Sequence, residues 1–272
     1  MILLLVSLFA CGEKTEDTGL DIDLEDTDVE TGDTDEETGD TDEVELAIIG
    51  EYDDSWGGSQ IIDNYIWSSG GFYFEISQYS NEEQIVITQN SANNEYNPSL
   101  WSKFQWTYDL QENLFYCQIS YDSAEEVDAI STPPADPTDL EAGCNGIGWT
   151  MLRIPLSISG LYVDDWEANH DITSFRWILG NYGSNSSIFQ IVDTHDDEQW
   201  LVAQNGFNNE YNPSLWSKFE WTQSEETLYY CQSAYDADSL ETAAEATADR
   251  SDLIGGCSGW AWSSLSLITG TE

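Results

Sequence analysis

Basic residues are the scarcest charged class in this chain of 272 residues, since 6 Lys and Arg stand against 53 Asp and Glu. The formal net charge at pH 7 is −47. A field of this sign repels nucleic-acid phosphates, so nucleic-acid binding is excluded, and it disfavours anionic membrane surfaces for the same reason. Aromatic residues still make up 13% of the chain, which is too many for a wholly disordered protein.

Histidine is almost absent as well, and neither His170 nor His195 lies in a metal-binding or catalytic-triad motif. The chain has no glycine-rich phosphate loop, zinc signature or Cys-x-x-Cys pair. A carboxylate pair for glycoside hydrolysis stays open, because 36 acidic residues follow residue 45 and any two of them could converge. We expect a non-enzymatic protein without metal or cofactor, and a hydrolase is the least favoured alternative.

The chain has no apolar run of the roughly 20 residues that span a bilayer. Its N-terminal run, residues 2–10, is typical of the apolar core of an export signal, although no Lys or Arg precedes it. Leu8-Phe9-Ala10-Cys11 resembles the lipobox of bacterial lipoproteins. The resemblance implies a signal peptide over residues 1–10, a lipid anchor on Cys11 and a location at the outer membrane of the envelope. An ordinary secretory signal with an incidental cysteine is the alternative.

Residues 11–45 form a region of very different composition. From residue 13 to residue 45 there are 17 Asp and Glu, one Lys and no aromatic side chain. Such a stretch cannot bury enough apolar surface to offset its ordering entropy, so we predict a disordered acidic tether. Asp33 and Asp35 have the spacing of calcium ligands, but Thr38 stands where the EF-hand loop needs Gly. A solvated spacer is therefore favoured over a calcium site.

The remainder of the chain is an internal duplication. Residues 93–104 and 208–219 both read Asn-Asn-Glu-Tyr-Asn-Pro-Ser-Leu-Trp-Ser-Lys-Phe. The correspondence extends in both directions and predicts two homologous domains, over 46–156 and 157–272. Each domain holds two cysteines, and the duplication favours one disulfide in each domain over the other pairings. The predicted disulfides are Cys117–Cys144 and Cys231–Cys257, in keeping with an oxidising compartment.

Apolar residues alternate with polar ones over short stretches, which predicts β-strands. In the first domain these lie near residues 46–52, 60–68, 72–77, 83–89, 101–108, 115–119 and 147–154. One short helix is predicted after the first cysteine of each domain, near 122–130 and 238–248. The fold class is mainly β, with an antiparallel barrel or sandwich in each domain. The opening Gly-x-Tyr-x₃-Trp is similar to the first strand of lipocalin-like barrels, where an aromatic side chain closes one end.

A longer motif recurs in both domains: Asn-x-Tyr-x-Pro-x-Leu-Trp-Ser-x-Phe-x-Trp-Thr, followed by Tyr-Cys-Gln. Together with the lipobox and the acidic tether, it resembles a family of bacterial surface or periplasmic lipoproteins of unknown function. The resemblance covers both domains. It implies an envelope location and brings no activity and no site residue with it.

Tryptophan is the strongest functional hint, because surplus rings on a surface stack on sugars or pack on proteins. The duplicated segment supplies the ligand-contacting candidates. At each of these residues a structural role is favoured over ligand contact: core packing for the tryptophans, neutralisation of carboxylates for the lysines and a solvated loop position for the glutamates. We expect a glycan-binding module first, and an architectural or protein-interaction lipoprotein second. The candidates are Glu95, Trp101, Lys103 and Trp106 in the first domain and Glu210, Trp216, Lys218 and Trp221 in the second. The five repeated positions are Trp56/Trp166, Trp67/Trp177, Trp101/Trp216, Trp106/Trp221 and Trp149/Trp262.

Overall fold

A computed structural model describes residues 44–180 and 186–268. They form two closed antiparallel barrels of eight strands each, in tandem along the chain. Successive strands pair with one another, and the last strand of each barrel pairs with the first. The mainly β prediction is confirmed, and the barrel is the alternative that forms. The predicted signal peptide, Cys11 and the tether up to residue 43 lie outside the described residues.

Barrel 1 contains eight strands and one crossover helix. Its strands are β1 (Gly50–Asp54), β2 (Ser59–Ile62), β3 (Ile66–Ser69), β4 (Phe72–Ser80), β5 (Ile85–Asn90), β6 (Trp101–Tyr108), β7 (Leu114–Ser123) and β8 (Thr150–Arg153), with α1 (Glu126–Ser131) between β7 and β8.

Barrel 2 repeats this order. Its strands are β9 (Gly160–Asp164), β10 (Asn169–Ile172), β11 (Arg176–Leu179), β12 (Ser187–His195), β13 (Trp200–Asn205), β14 (Trp216–Ser224), β15 (Thr227–Ala237) and β16 (Ser263–Leu267), with α2 (Leu240–Ala244) before β16. Neither helix is long or apolar enough to cross a membrane, and the described residues contain no other candidate.

Two of the predicted strands differ in more than their end residues from the strands that form. The stretch 60–68 splits into β2 and β3, because the Asp63 carboxylate accepts hydrogen bonds from the backbone N–H groups of Tyr65 and Ile66 and closes a turn. The stretch 46–52 becomes a strand only from Gly50 onward. Of the residues before Gly50, Leu46 and Ile48 pack into the core of barrel 1 instead of continuing the strand.

The barrel interiors are filled by aromatic side chains rather than hollow. Trp67 stacks on Phe104 with ring centroids 4.4 Å apart. The equivalent rings in barrel 2, Trp177 and Phe219, stack at 4.5 Å. One end of each barrel, which we call the closed end, is plugged by the chain that enters its first strand. Two buried residues do this in each case: Leu46 and Ile48 in barrel 1, and Leu156 and Ile158 in barrel 2. At the opposite, open end lie the β1–β2, β3–β4 and β5–β6 connections and their counterparts.

The disulfides lie outside the barrels, between the wall and the crossover connection. Cys117 in β7 bonds to Cys144, and Cys231 in β15 bonds to Cys257, as the duplication predicted. In barrel 1, a second apolar cluster with Trp149 surrounds the bond. The cross-link therefore fastens the long connection to the barrel wall.

A polar contact joins the two barrels. The backbone N–H of Ser174 donates to the Asp53 carboxylate at 2.6 Å. Arg153 donates from Nη1 to the carbonyl oxygens of Ser174 and Ile191 at 3.2 and 3.3 Å, and its guanidinium lies 4.6 Å above the Phe175 ring. Burial lowers the pKa of Arg153. The β10–β11 turn of barrel 2 thus docks on the β1–β8 wall of barrel 1.

Candidate functional site

Three of the five repeated tryptophan positions are core positions. Trp67 and Trp177 are fully buried, as are Trp106 and Trp221, which are each 1% exposed. Trp149 and Trp262 are also buried, under the crossover connections. The burial of Trp106 and Trp221 corrects their assignment as ligand-contacting residues, because a ring that fills a closed barrel offers no face to a ligand.

Each of the two candidate lysines binds backbone carbonyl groups at the end of a crossover helix, which the sequence did not predict. Lys103 donates from Nζ to the carbonyl oxygens of Ile130 and Thr132, at 3.2 and 2.8 Å. These carbonyls belong to the end of α1 and the residue after it. Burial is the main reason that the pKa of Lys103 is lowered. The ammonium holds the crossover helix on the barrel wall, so Lys103 is corrected from a ligand contact to a structural residue.

Lys218 plays the same part in barrel 2. It donates to the carbonyl oxygens of Ala244 and Ala246 at 2.9 and 2.6 Å. Its ammonium also lies 4.4 Å from the centroid of the Trp200 ring. Its pKa is lowered chiefly by burial. Lys218 is therefore corrected in the same way.

The other candidates lie at the surface. Glu95 and Glu210 are exposed in the loops before β6 and β14, and Trp101 and Trp216 are half-buried at the start of those strands. Ligand contact by these four residues stays a prediction.

The most exposed repeated tryptophans are Trp56 and Trp166, which are not among the predicted ligand contacts. Trp56 is 79% exposed in the β1–β2 turn, and Trp166 is 80% exposed in the β9–β10 turn. Their position is the same in both barrels, at the open end. The turn signal Gly57-Gly58 directly after Trp56 could have placed this ring outside the core. The Trp of the lipocalin-like motif thus does not close a barrel end.

The Trp56 turn is held from inside the barrel by one buried carboxylate. Asp54 accepts hydrogen bonds from the backbone N–H groups of Trp56 at 2.9 Å and Gly58 at 2.8 Å. Its second oxygen accepts from the side-chain amide of Gln60 at 2.8 Å. Gln60 in turn accepts from the indole N–H of the core residue Trp67 at 2.9 Å. This chain of bonds connects the core to the base of the exposed ring.

Barrel 2 builds the same support with one different residue. Asp164 accepts from the backbone N–H groups of Trp166 and Ala168, at 2.9 and 2.8 Å. His170 replaces the glutamine of barrel 1. Its Nδ1 accepts from the indole N–H of Trp177 at 2.9 Å, and its Nε2 lies 3.2 Å from the Asp164 carboxylate. The imidazole thus replaces the amide as acceptor for the core indole, while the contact of Nε2 with Asp164 is an electrostatic one without hydrogen-bond geometry.

His170 gives barrel 2 a pH dependence that barrel 1 lacks at the equivalent position. Burial lowers the pKa of His170 below 6.5 and outweighs the opposite effect of Asp164. The unfolded chain then binds the proton more tightly, so we expect full stability above about pH 6.5 and a progressive loss as the pH falls below it. His170→Gln, which installs the residue of barrel 1, should abolish this loss. Urea unfolding at pH 8 and pH 5 measures it.

His195→Gln serves as the control for that experiment, because His195 is partly exposed and stacks on Trp200 at the surface. A wild-type chain that gains stability relative to His170→Gln on acidification would contradict the prediction.

Four of the five basic side chains after the tether are hydrogen-bonded within the fold. Besides the two lysines, Arg153 binds carbonyl oxygens across the barrel contact, and Arg250 donates to the carbonyls of Glu198 and Gln199. Arg176 lies against Gly57, where an added Cβ would overlap its guanidinium. The folded part also carries 36 acidic residues. This charge distribution favours neutral or cationic ligands over anionic ones.

Within residues 44–180 and 186–268, no group of three or more His, Cys, Asp or Glu side chains is placed to hold a metal ion. No protein-family model, curated protein or solved structure matches the chain. The functional proposal therefore depends on the geometry of the chain itself.

Proposed function

We propose that the protein is a non-enzymatic, lipid-anchored envelope protein whose two barrels bind neutral glycan through Trp56 and Trp166. The observation that carries the proposal is the exposure of these two rings at the same turn of both barrels. Each turn is fixed by a buried carboxylate, so the ring is presented from a rigid base. A preorganised ring loses little conformational entropy when a ligand stacks on it.

The chemistry of the surface around the rings agrees with a sugar ligand. A flat indole packs against the apolar face of a sugar ring, while its N–H keeps a polar partner. Trp56 donates from its indole N–H to the Thr150 hydroxyl at 3.2 Å, which fixes the ring direction. The scarcity of free cations disfavours acidic polysaccharides. Two equivalent sites on one chain favour a polymer, because the second contact forms at a high effective concentration.

The experiment is thermal unfolding of the full chain against a panel of neutral and acidic glycans. A ligand at 100 times its Kd adds about 2.7 kcal/mol to the free energy of unfolding. We expect the unfolding midpoint to rise with a neutral glycan, and the rise to disappear in the double variant Trp56→Ala, Trp166→Ala.

Leu110→Ala is the matched control, because Leu110 is an exposed apolar residue in the β6–β7 turn at the closed end of barrel 1. It should keep the full rise. A panel without any rise, or a rise that the double variant retains, would contradict glycan binding through these rings.

The lipid anchor rests on Leu8-Phe9-Ala10-Cys11 and accounts for the one cysteine outside the two disulfides. Two acyl chains on Cys11 would hold the chain stably on a membrane. In bacteria grown with labelled palmitate, we expect the wild-type chain to carry the label and to sediment with membranes. Cys11→Ser should lose both properties. Equal labelling of the variant would overturn the anchor.

A protein-interaction lipoprotein is the second candidate, and one observation favours it. Barrel 2 exposes five large apolar side chains in its connections, each at least 72% accessible. Exposed apolar side chains mark protein contacts where they form one contiguous patch. Loss of all glycan effects, together with binding of an envelope protein that depends on this surface, would select the second candidate. The five residues are Trp166, Phe207, Tyr211, Ile254 and Trp260.

A further inference from the structure

The open end of barrel 1 contains a small cavity that is separate from the Trp56 turn. Its volume is about 260 Å³, which is below the size of a pocket for a drug-sized ligand. Of its eight lining residues, four are aromatic and four carry side-chain amides, and none is charged. The aromatic residues are Phe72, Phe74, Tyr96 and Tyr121, and the amides belong to Asn90, Asn94, Asn97 and Gln118.

The asparagines of this cavity are used to build its walls. Asn90 donates to the carbonyl oxygens of Asn97 and Tyr121, at 2.8 and 3.0 Å. Asn94 accepts from the N–H of Tyr73 at 3.0 Å and donates to its carbonyl oxygen at 2.8 Å. These bonds fix the β5–β6 loop that carries Tyr96 against β4 and β7. The rings are therefore presented by a hydrogen-bonded frame.

Two exposed acidic residues adjoin the cavity rings in sequence. Phe72 and Tyr96 both line the cavity and contact each other, with ring centroids 6.0 Å apart and an interplanar angle of 40°. Glu95 and Asp122 directly adjoin Tyr96 and Tyr121 in sequence and are both exposed. Aromatic faces carry a negative quadrupole and attract cations, most of all weakly hydrated ones that shed water easily.

We propose that the barrel 1 cavity binds a small organic cation of the quaternary ammonium class. The rings of Phe72, Tyr96 and Tyr121 supply cation–π contacts, and Phe74 forms the apolar floor. The ligand is small because the cavity is small. We assign the ligand a positive charge because the aromatic side chains of the lining attract cations and no basic side chain of the lining repels them. This site is independent of glycan binding, and either can fail without the other.

Barrel 2 provides an internal reference for the cavity. Phe74 and Phe189 correspond in the duplication, so Ser187 occupies the position of Phe72. The counterparts of the other rim rings, Tyr211 and Tyr235, are retained. Phe72→Ser therefore converts the barrel 1 rim to the composition of barrel 2 at one position.

The experiment is calorimetric titration of the full chain with choline chloride, and in parallel with the neutral alcohol in which carbon replaces the choline nitrogen. We expect choline to bind at millimolar or lower concentration and the neutral alcohol to bind at least tenfold more weakly. Tyr121→Ala should weaken choline binding about three- to tenfold, in line with the loss of one partly exposed cation–π contact. Phe72→Ser should weaken it at least tenfold.

Tyr235→Ala, the same change in barrel 2, is the matched control and should leave choline binding unchanged. Tyr121 is 55% exposed and Tyr235 is 54% exposed, so neither change should disturb the fold. Equal binding of choline and the neutral alcohol would overturn recognition of charge. Absence of choline binding at millimolar concentration would overturn the site.

Discussion

Asp54→Ala should lower the free energy of unfolding by roughly 3–5 kcal/mol, as expected when a buried, hydrogen-bonded carboxylate is removed. The loss is large because three donors then have no acceptor. Two are backbone N–H groups of the Trp56 turn, and the third is the amide of Gln60. Alanine cannot replace any of these bonds, and water has little access to the site. Chemical unfolding followed by far-ultraviolet circular dichroism measures the change.

Asp63→Ala is the matched control, because Asp63 also accepts two backbone N–H bonds in a turn of barrel 1. Asp63 is exposed, so water can satisfy the freed groups and the loss should stay near 1 kcal/mol. Equal losses in the two variants would contradict the role assigned to the buried carboxylate. Asp54→Ala should also weaken glycan binding by barrel 1, because the Trp56 ring loses its fixed base.

Removing one disulfide should cost roughly 3–4 kcal/mol, the value that the chain-entropy model gives for a closed loop of this length. The sequence separations are 27 residues for Cys117–Cys144 and 26 for Cys231–Cys257. We therefore expect the two double variants to lose similar amounts of unfolding free energy. One variant combines Cys117→Ser with Cys144→Ser, and the other combines Cys231→Ser with Cys257→Ser. Both bonds fasten a crossover connection to a barrel wall, so the unfolded chain gains comparable freedom in the two cases.

Each double variant serves as the control for the other in the same unfolding experiment. Proteolysis of the native state adds a local readout. Cleavage should become faster within the crossover connection of the altered barrel and stay unchanged in the intact one. A loss below about 1 kcal/mol in either variant would contradict the entropic account.

The strands were predictable where side-chain alternation is local. The stretch 101–108 was predicted with the limits that β6 has, because Phe104 and Trp106 point inward while Lys103 points outward. The disulfides followed from the duplication alone. These features depend on residues close in sequence, or on comparison of the two halves of the chain.

Contacts between distant segments could not be predicted in this way. The partner of Lys103 is a pair of carbonyl oxygens 27 and 29 residues further along the chain. Its identity depends on the path of the crossover helix, which no local pattern specifies. Trp106 and Trp56 are chemically identical, yet one fills the core and the other is exposed. Barrel closure and turn geometry determine which of the two rings is buried. The amino-acid composition gives only the number of tryptophans.

Affinity electrophoresis of the full chain through gels that contain soluble neutral polysaccharides tests the central claim most directly. We expect at least one polysaccharide to retard the wild-type chain and the Leu110→Ala control equally. Trp56→Ala and Trp166→Ala should each reduce the retardation, and the double variant should migrate as in a gel without polysaccharide. Glycan binding by the two exposed tryptophans would be contradicted if no polysaccharide altered the migration of the wild-type chain. It would also be contradicted if the double variant were still retarded.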